Sequence, residues 1–322
     1  MYDTIIVGAG PVGLYAAYYL QSKGIKVCLL EANHQVGGQL TSMYPEKSIV
    51  NLPGIKEIKA QDYINDLVKQ LDSDNIIHLN QKVMSVTKDG EDFIVSSETD
   101  SFAANSVIIA TGNGELKPRP LGVEDEDKID NIIYAITDLK ALEQQDVVIF
   151  GGGDSAIDWA LHLEPIAKHV SVIHRRNEFR ALASSVEQLR QTSASIYTPH
   201  SLVNCEVNDN KIISLVIEDK ESKEQIRLNP DYVICNFGFI YEKNVLEQWG
   251  IDIVDNKVVV DRKQASNLEG IFAIGDACSY ESKNYNILTG LGEASVVANN
   301  VINYLKTLEC NKDRGLSGTK NY

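Results

Sequence analysis

The chain has 322 residues, 43% of them hydrophobic, and a formal net charge of −15 at pH 7. This length favours two domains over a single core, and the negative charge argues against binding to nucleic acid or to an anionic membrane. No apolar run approaches the roughly 18 residues of a membrane span, and Met1 leads straight into a predicted strand without an export signal. We therefore expect a cytoplasmic protein.

Two stretches, residues 4–31 and 146–176, share one pattern: an apolar strand, a glycine turn, an amphipathic helix and a second apolar strand. This is a βαβ unit with a parallel crossover. Short alternating segments, which predict a small antiparallel layer, follow each unit: residues 82–88, 93–97 and 102–110, then 202–207, 212–219 and 225–228. The sequence thus predicts an α/β fold with two Rossmann-like dinucleotide-binding domains, each a parallel sheet with helices and a small antiparallel layer.

The second domain is predicted to be an insertion in the first. Pro118 and Pro120 mark the exit from the first domain, and residues 239–243 mark the return. The predicted boundaries are 1–115 with 243–322 for the first domain, and 116–242 for the second. The last helix is expected from near Gly290 to about Leu305, followed by a frayed polar tail.

The first glycine motif is Gly8-Ala9-Gly10-Pro11-Val12-Gly13, between a strand and a helix. In this motif Gly8 allows a tight turn, Gly10 lets the backbone approach a pyrophosphate, and Gly13 lets helix and strand pack closely. Glu31 ends the next strand, where its carboxylate can accept hydrogen bonds from a ribose and repels a 2′-phosphate. Taken alone, the motif leaves FAD, NAD or a degenerate site open.

Three further segments favour FAD at this first site. Gly37-Gly38-Gln39-Leu40 follows Glu31 closely, Ala110-Thr111-Gly112 ends a strand, and Gly275-Asp276 follows another strand. Each alone is typical of an ordinary glycine turn, whereas the order and spacing of the three together favour a flavin domain.

The second glycine motif, residues 151–156, has the form G-x-G-x-x-A. Here the strand that follows ends in His174-Arg175-Arg176, with Arg180 four residues later. Guanidinium groups bind a phosphate dianion in a bidentate manner. The second site is therefore predicted to bind NADP(H) rather than NAD(H).

The motifs GAGPVG, GGQL, ATG, GGGDSA, HRRxxxR and GD resemble those of low-molecular-weight thioredoxin reductases over nearly the whole chain. The redox-active CxxC of those enzymes is missing, because residues 133–139 read IYAITDL and none of the five scattered cysteines forms a CxxC pair. The chain more closely resembles the thioredoxin-reductase-like (type 2) ferredoxin/flavodoxin–NADP(+) reductases, through residues 40–47, 134–139 and 289–300 and a C-terminal extension.

This resemblance implies roles for several residues. Glu31 would hold the adenosine ribose, Asp276 the ribityl or pyrophosphate portion of FAD, and Tyr44 would stack on the isoalloxazine ring. Val83 and Leu116 would contact FAD largely through backbone or packing.

Two further regions are expected near the flavin. Gln39 would lie beside it, and the last helix, starting near Thr289, would point its N-terminus at the ring. In the C-terminal extension Ser317 corresponds to a Ser or Thr of the family, but Leu316 precedes it where an aromatic residue or His is typical. Either Leu316 or Tyr322 would then cover the second face of the flavin.

The predicted cofactor-binding residues form two sets. The FAD set is Gly8, Gly10, Pro11, Gly13, Glu31, Gly38, Gln39, Tyr44, Val83, Ala110, Thr111, Gly112, Leu116, Gly275, Asp276, Thr289 and Ser317. The NADP set is Gly151, Gly153, Asp154, Ser155, Ala156, His174, Arg175, Arg176 and Arg180.

The function implied is hydride transfer between NADPH and flavin N5, with one-electron steps to ferredoxin or flavodoxin, in a homodimer. The cofactors carry the chemistry, so neither a catalytic side chain nor a metal site is expected. Three alternatives stay open: an NADPH diaphorase or oxidase, a thioredoxin-type disulfide reductase lacking CxxC, and a non-catalytic NADP(H)-binding redox sensor.

Overall fold

The computed structural model describes residues 1–114, 116–241 and 245–313. The chain forms two compact units. Unit 1 contains Met1–Glu115 and Tyr241–Tyr322, and unit 2 contains Leu116–Ile240. Unit 1 is therefore built from both ends of the chain, with unit 2 inserted between them.

The first segment of unit 1 contains eight strands and three α-helices. They are β1 (Tyr2–Val7), α1 (Pro11–Gln21), β2 (Val27–Leu30), α2 (Gln39–Ser42), β3 (Ser48–Ile49), β4 (Ile58–Lys59), α3 (Ala60–Lys69), β5 (Ile77–His78), β6 (Val83–Asp89), β7 (Asp92–Ser97) and β8 (Ser101–Ile109). The main sheet has the order β5-β2-β1-β8-β7-β6. β1 and β2 are short apolar runs because helices and strands cover both faces of this parallel part.

Strand β8 joins the parallel and antiparallel parts of this sheet. Its second half pairs in parallel with β1, and residues Ser101–Ala104 pair in antiparallel with β7. The antiparallel segments predicted after the first βαβ unit are thus hydrogen-bonded to the parallel sheet rather than forming a separate layer. In the β6–β7 hairpin Asp89 pairs with Asp92, so the turn residues are Gly90 and Glu91, with φ of +63° at Gly90.

Unit 2 contains two α-helices and ten strands. They are β9 (Leu116–Pro118), β10 (Ile132–Ile133), β11 (Asp146–Gly151), α4 (Asp154–Leu163), β12 (His169–Ile173), α5 (Ala183–Arg190), β13 (Ser195–Tyr197), β14 (His200–Asn208), β15 (Lys211–Asp219), β16 (Gln225–Leu228), β17 (Tyr232–Asn236) and β18 (Phe239–Tyr241). The last residue of β18 is the first residue of the returning segment of unit 1.

The parallel sheet of unit 2 has the order β10-β17-β11-β12-β13, and β14-β15-β16 form a separate antiparallel sheet. The chain runs from β11 to one side through β12 and β13, whereas β17 lies on the other side of β11. The strand order therefore reverses between β11 and β17. In open α/β sheets ligands bind beyond the carboxyl ends of the strands at such a point.

The returning segment completes unit 1 with β19 (Ile253–Val254), β20 (Lys257–Val259), β21 (Ile271–Ala273), β22 (Cys278–Ser279) and α6 (Ile287–Asp313). β21 pairs in parallel with the second half of β8. It therefore occupies the edge of β8 that continues past the end of β7.

The bounds predicted for the last helix were wrong at both ends. Helix α6 begins three residues before Gly290 because Asn286 caps it, its Oδ1 accepting the N–H of Thr289 at 2.8 Å. The helix also continues beyond Leu305 to Asp313, through a stretch predicted to fray. Residues 306–313 are mostly polar but contain neither Gly nor Pro, so nothing in them interrupts the helix.

Two apolar layers enclose each parallel sheet. In unit 1, α1, α3 and α6 pack on one face through residues such as Leu14, Ile64 and Val301, and the other face is covered by residues that include Trp249 and Val258. In unit 2, α4 and α5 cover one face and the antiparallel sheet covers the other. Among the helices of the described residues, none has the length and apolar character that crossing a bilayer requires.

Candidate dinucleotide-binding sites

The first glycine turn connects β1 to α1, and two of its glycines are required by close packing. Gly8 has φ of +108°, and a Cβ there would lie 2.5 Å from the carbonyl oxygen of Ala110. A Cβ on Gly13 would overlap the carbonyl oxygen of Gly8. Gly10 differs, because a Cβ there would meet no atom of the described residues within 4 Å. The open space beside Gly10, at the N-terminus of α1, is a cradle of the kind a pyrophosphate occupies.

Glu31 lies directly after β2 and is 5% exposed. Its Oε2 accepts the N–H of Ala9 at 2.8 Å, and its Oε1 accepts the backbone N–H and the side-chain Nδ2–H of Asn33, both at 2.9 Å. The carboxylate is thus held against the middle residue of the glycine turn. A fixed negative charge at this position repels a 2′-phosphate.

The loop between β2 and α2 returns to the same turn. Gly37 donates its N–H to the carbonyl of Ala9 at 2.8 Å, and a Cβ on Gly38 would lie 3.4 Å from Cα of Gly10. Gly37 and Gly38 have φ of +109° and +56°, a region that strongly favours glycine. The two glycines therefore shape one wall of the space beside Gly10.

The other predicted glycine segments also meet here. A Cβ on Gly112 would lie 4.0 Å from Nε2 of Gln39, and a Cβ on Gly275 would lie 3.4 Å from the side chain of Val12. A Cβ on Gly290 would overlap the side chain of Val12. The turns after β8 and β21 and the start of α6 are therefore close to the first turn of α1.

Asp276, within this group, is surrounded by polar residues that the sequence analysis missed. Asn113 donates to its Oδ2 at 3.3 Å, and Lys257 donates to its backbone carbonyl at 2.6 Å. Asn113 directly follows Ala110-Thr111-Gly112, so its place in the site could have been predicted from the sequence. Lys257 belongs to no sequence motif.

Tyr44 and Val83 take no part in the contacts between the glycine segments. Tyr44 is half-buried, and Lys47 Nζ lies 5.7 Å from its ring centroid. The side chain of Val83 is buried in the core with Ile5 and Val7. Only the backbone of Val83 is therefore available to a ligand.

Three other predicted FAD residues are Thr289, Leu116 and Ser317. The backbone N–H of Thr289 is used by the cap of α6. Leu116 begins β9, and its side chain lies outside the described residues, as does the whole of Ser317 together with Leu316 and Tyr322.

The second glycine turn connects β11 to α4 and shows the same division of roles. A Cβ on Gly151 would lie 2.7 Å from Cβ of Ala156, and one on Gly152 would overlap the ring of His174. A Cβ on Gly153 would meet no atom of the described residues within 4 Å. The residues of this turn therefore also fit a dinucleotide, with open space beside Gly153 at the N-terminus of α4.

The arginine loop, residues 174–182 between β12 and α5, is hydrogen-bonded to this turn. Arg180 donates its backbone N–H to the carbonyl of Gly152 at 2.7 Å, and Leu182 donates its N–H to Oδ1 of Asp154 at 2.9 Å. The side chains of Arg175, Arg176 and Arg180 are exposed, and within residues 1–114, 116–241 and 245–313 no carboxylate forms an ion pair with them. Their positive charge is available to an anion.

His174 holds the start of this loop in place. Its ring packs on Gly152 and stacks on Phe179 with centroids 5.3 Å apart, and its Nε2 lies 3.2 Å from the carbonyl oxygen of Glu178. Burial lowers the pKa of His174 below its ordinary value, and the positive charges of the neighbouring arginines lower the pKa further. The folded environment of the ring therefore favours its neutral form.

Asn236 is a further polar residue that the sequence analysis missed. It ends β17 opposite Gly151, where the strand order reverses. Its Nδ2 is buried and has no hydrogen-bond partner among the described residues. A buried amide donor without a partner costs free energy, so this group is open to a ligand that accepts a hydrogen bond.

The cysteines do not form a redox pair. All five are free thiols. Burial raises the pKa of Cys28 to about 12 and that of Cys278 to about 11, and also raises that of Cys235. These buried thiols stay protonated at neutral pH and are poor nucleophiles.

A model of the pyridine nucleotide-disulphide oxidoreductase family matches residues 2–297. The chain belongs to this family. The ferredoxin–NADP reductase of Halalkalibacterium halodurans is 41% identical over 304 residues, covering 93% of this chain and 92% of that protein. The ferredoxin–NADP reductase of Streptococcus pneumoniae is 40% identical over 306 residues, 95% of each. The solved structure of Lactococcus lactis thioredoxin reductase has a TM-score of 0.78 at 24% identity, covering 95% of this chain and 100% of that one.

These similarities confirm the resemblance seen in the sequence, the identification as an oxidoreductase of this type, and the fold with two dinucleotide-binding domains. FAD and NADP(H) are the cofactors that family and relatives imply. The geometry of the residues fits them, because both glycine turns leave open space at a helix N-terminus.

Proposed function

We propose that this protein transfers electrons between NADPH and ferredoxin or flavodoxin. In this proposal residues 1–115 and 243–322 bind FAD, and residues 116–242 bind NADP(H). The observation that carries it is the charge at corresponding places in the two units. A buried carboxylate, Glu31, stands against the first glycine turn, whereas three unpaired arginines follow the corresponding strand in unit 2.

The FAD assignment is supported by the approach of the β2–α2 loop, the turns after β8 and β21 and the start of α6 to the first glycine turn. The N–H groups at the start of α1 favour a pyrophosphate, and Glu31 favours a ribose with free hydroxyls. Asp276 has one carboxylate oxygen bound to Asn113, and within the described residues no hydrogen bond occupies the other. That oxygen is available to a hydroxyl of the cofactor.

The NADP(H) assignment is supported by the arginine loop and by Asn236. Arg175, Arg176 and Arg180 provide bidentate donors for a 2′-phosphate, and two hydrogen bonds fix their loop to the glycine turn. We add Asn236 to the proposed set, because its free amide lies beside the turn at the point where the strand order reverses.

A one-electron partner, rather than a disulfide, is supported by the absence of a reactive dithiol from the sequence. When bound, FAD would accept a hydride and pass on single electrons, and the role of the chain is to bind and orient the two nucleotides. A disulfide reductase needs a reactive dithiol, but the sequence has no CxxC and burial raises the pKa of Cys28 and Cys278.

We also propose that the protein is a cytoplasmic homodimer, on the strength of its resemblance to type 2 reductases. Light scattering coupled to gel filtration of the FAD-loaded protein tests this state. A mass of one chain at micromolar concentration would contradict it.

Stopped-flow reduction tests the function directly. The FAD-loaded protein is reduced with NADPH and then mixed with oxidised ferredoxin, flavodoxin or thioredoxin. We expect rapid reoxidation by ferredoxin or flavodoxin and none by thioredoxin. Reoxidation by quinone or oxygen alone would favour a diaphorase or oxidase, and flavin that stays oxidised under excess NADPH would favour a redox sensor.

A further inference from the structure

A buried ion pair lies behind the Gly275-Asp276 corner in unit 1. Lys283 Nζ and Glu293 Oε1 are 2.6 Å apart, and their side chains are 2% and 4% exposed. Removing two charges from water is costly, and a buried pair often stabilises a fold no better than apolar side chains would. The pair is therefore not explained by a contribution to stability alone, and the groups to which it is hydrogen-bonded indicate its role.

The ion pair holds both peptide groups of Gly275. Glu293 Oε2 accepts the N–H of Gly275 at 2.7 Å, and Lys283 donates to the carbonyl of Gly275 at 2.7 Å. Tyr280 donates its hydroxyl to Glu293 at 2.8 Å. Gly275 has φ of +65°, so a strongly turned residue is fixed on both sides by charged groups.

A second lysine holds the next residue. Lys257 Nζ donates to the carbonyl of Asp276 at 2.6 Å and to Oδ1 of Asn113 at 2.8 Å. Asn113 in turn donates to Oδ2 of Asp276 at 3.3 Å. The ring centroid of Tyr285 lies 4.5 Å from Lys257 Nζ and 5.6 Å from Lys283 Nζ. The two lysines thus act on consecutive residues and share one aromatic neighbour.

We propose that Lys257, Lys283 and Glu293 are positioning residues that fix the Gly275-Asp276 corner, and with it the direction in which the Asp276 carboxylate meets FAD. This rests on the proposed function only in taking Asp276 as a FAD residue. The four charged groups, two lysines and two carboxylates, balance one another.

Cys278 lies in this cluster but has no redox role in the proposal. Lys283 Nζ lies 3.1 Å from its Sγ, but burial raises the pKa of Cys278 to about 11. A protonated thiol next to a lysine already bound to Glu293 contributes packing rather than redox chemistry.

Lys257→Met and Asn113→Ala test the proposal, because neither change leaves an unpaired charge in the Lys283–Glu293 pair. FAD release from the purified holoenzyme is followed by the fluorescence of the free flavin on dilution, together with the visible spectrum of the bound flavin. We expect each variant to hold FAD about tenfold less tightly, the effect of losing one or two charge-assisted hydrogen bonds. Lys168→Met removes an exposed ion pair with Asp146 in unit 2 and should leave FAD affinity unchanged.

A double-mutant cycle separates positioning from general destabilisation. If Asn113 and Lys257 act through Asp276, then Asn113→Ala or Lys257→Met should weaken FAD binding no further once Asp276→Asn is present. Effects that multiply with that of Asp276→Asn, or single variants that bind FAD within twofold of wild type, would overturn the proposal.

The buried pair is tested by removing both charges together, in Lys283→Met with Glu293→Gln. We expect faster FAD release and an altered flavin spectrum, with NADP(+) binding unchanged. If this protein does not fold, the cycle at Asn113 and Lys257 decides. Asp276→Asn without effect on FAD would refute the assignment of Asp276 and the positioning role together, whereas failure to reduce ferredoxin would refute only the proposed function.

Discussion

The two glycine turns have the same backbone arrangement, and among the positions at which they differ one is linked to the residue that ends the next strand. In unit 1 the residue after the second strand is Glu31, which accepts the N–H of Ala9 in the middle of the turn. In unit 2 the corresponding residue is His174, whose ring lies on Gly152, the residue that corresponds to Ala9. A methyl group at Gly152 would collide with that ring.

The difference shows how one backbone plan serves two nucleotides. In unit 1 the turn itself holds the carboxylate of Glu31, so the site that we propose for the ribose is negative. In unit 2 the turn holds the imidazole ring of His174, and the arginines that follow are exposed, where we propose that they bind an anion. In the proposed assignment, nucleotide specificity depends on pairs of residues, Ala9 with Glu31 and Gly152 with His174, rather than on the glycine pattern alone.

The largest effect is expected at Gly13, where the turns also differ, since unit 2 has Ala156. Gly13→Ala places a methyl group on the carbonyl of Gly8. Overpacking of this kind costs about 1–3 kcal/mol, so we expect a lower melting temperature both with and without FAD and little bound flavin. Gly10→Ala is the matched control, because it has open space and should weaken FAD binding without lowering the stability of the FAD-free protein. Wild-type flavin content in Gly13→Ala would contradict the close packing.

The arginine loop provides the next effect. Arg175→Ala with Arg176→Ala should raise the KM for NADPH by about tenfold to a hundredfold, since bonds to charged groups contribute about 1.5–3 kcal/mol. The KM for NADH should barely change, and neither should the FAD content. Lys168→Ala, an exposed lysine of the same unit, is the control. Equal losses with both nucleotides would show that the two arginines do not recognise the 2′-phosphate.

Tyr44 sharpens the comparison from the FAD side. Tyr44→Ala should change the absorbance and fluorescence of the bound flavin, because it removes a ring proposed to stack on the isoalloxazine, whereas Tyr44→Phe should preserve both. The KM for NADPH should stay within about twofold of wild type if the effect is confined to binding in unit 1. An unchanged spectrum in Tyr44→Ala would remove Tyr44 from the face of the flavin.

The smallest effect is the titration of His174. Its pKa is lowered from the ordinary value of 6.5, first by burial. The unfolded chain therefore takes up the proton first, so this group lowers stability as the pH falls below 6.5 and has no such effect above it. Titration of the imidazole C2 proton by NMR should give a pKa below 6.5, and a higher one in the Arg175→Ala, Arg176→Ala variant. A wild-type pKa at or above 6.5 would contradict the packing of His174 on Gly152.

The repeated βαβ pattern made most of the fold predictable. Strand, glycine turn and helix are local in the sequence, and in both units Gly8 and Gly151 lie where the pattern put them. The start of α6 was also within reach, because Asn286 stands directly before an apolar helical stretch and its side chain is a good N-cap. The continuous sheet through β8 could not be predicted. A strand that pairs with one neighbour in its first half and another in its second half has no distinct periodicity in the sequence.

The candidate sites were predictable where glycine or arginine belongs to a spaced motif, and not elsewhere. Lys283 and Glu293 are ten positions apart, and charged residues are almost never fully buried unless paired. Asn236 ends an ordinary buried strand, and its significance comes from the neighbouring strand, β11. The role of such residues depends on which residues lie near them in the folded structure, and a single sequence does not show this.

Along one edge of β8 the neighbouring strand changes from β7 to β21, and this affects the order in which the two units can fold during synthesis. Unit 2 is one continuous stretch and can fold as soon as its last strand has emerged. The sheet of unit 1 must wait for Ile271–Ala273 to pair with β8 and for α6 to cover its helical face, several seconds later at about 5–20 residues per second. During that delay the nascent chain exposes an open strand edge and an apolar surface. We therefore expect chaperones to bind unit 1 of the nascent chain rather than unit 2.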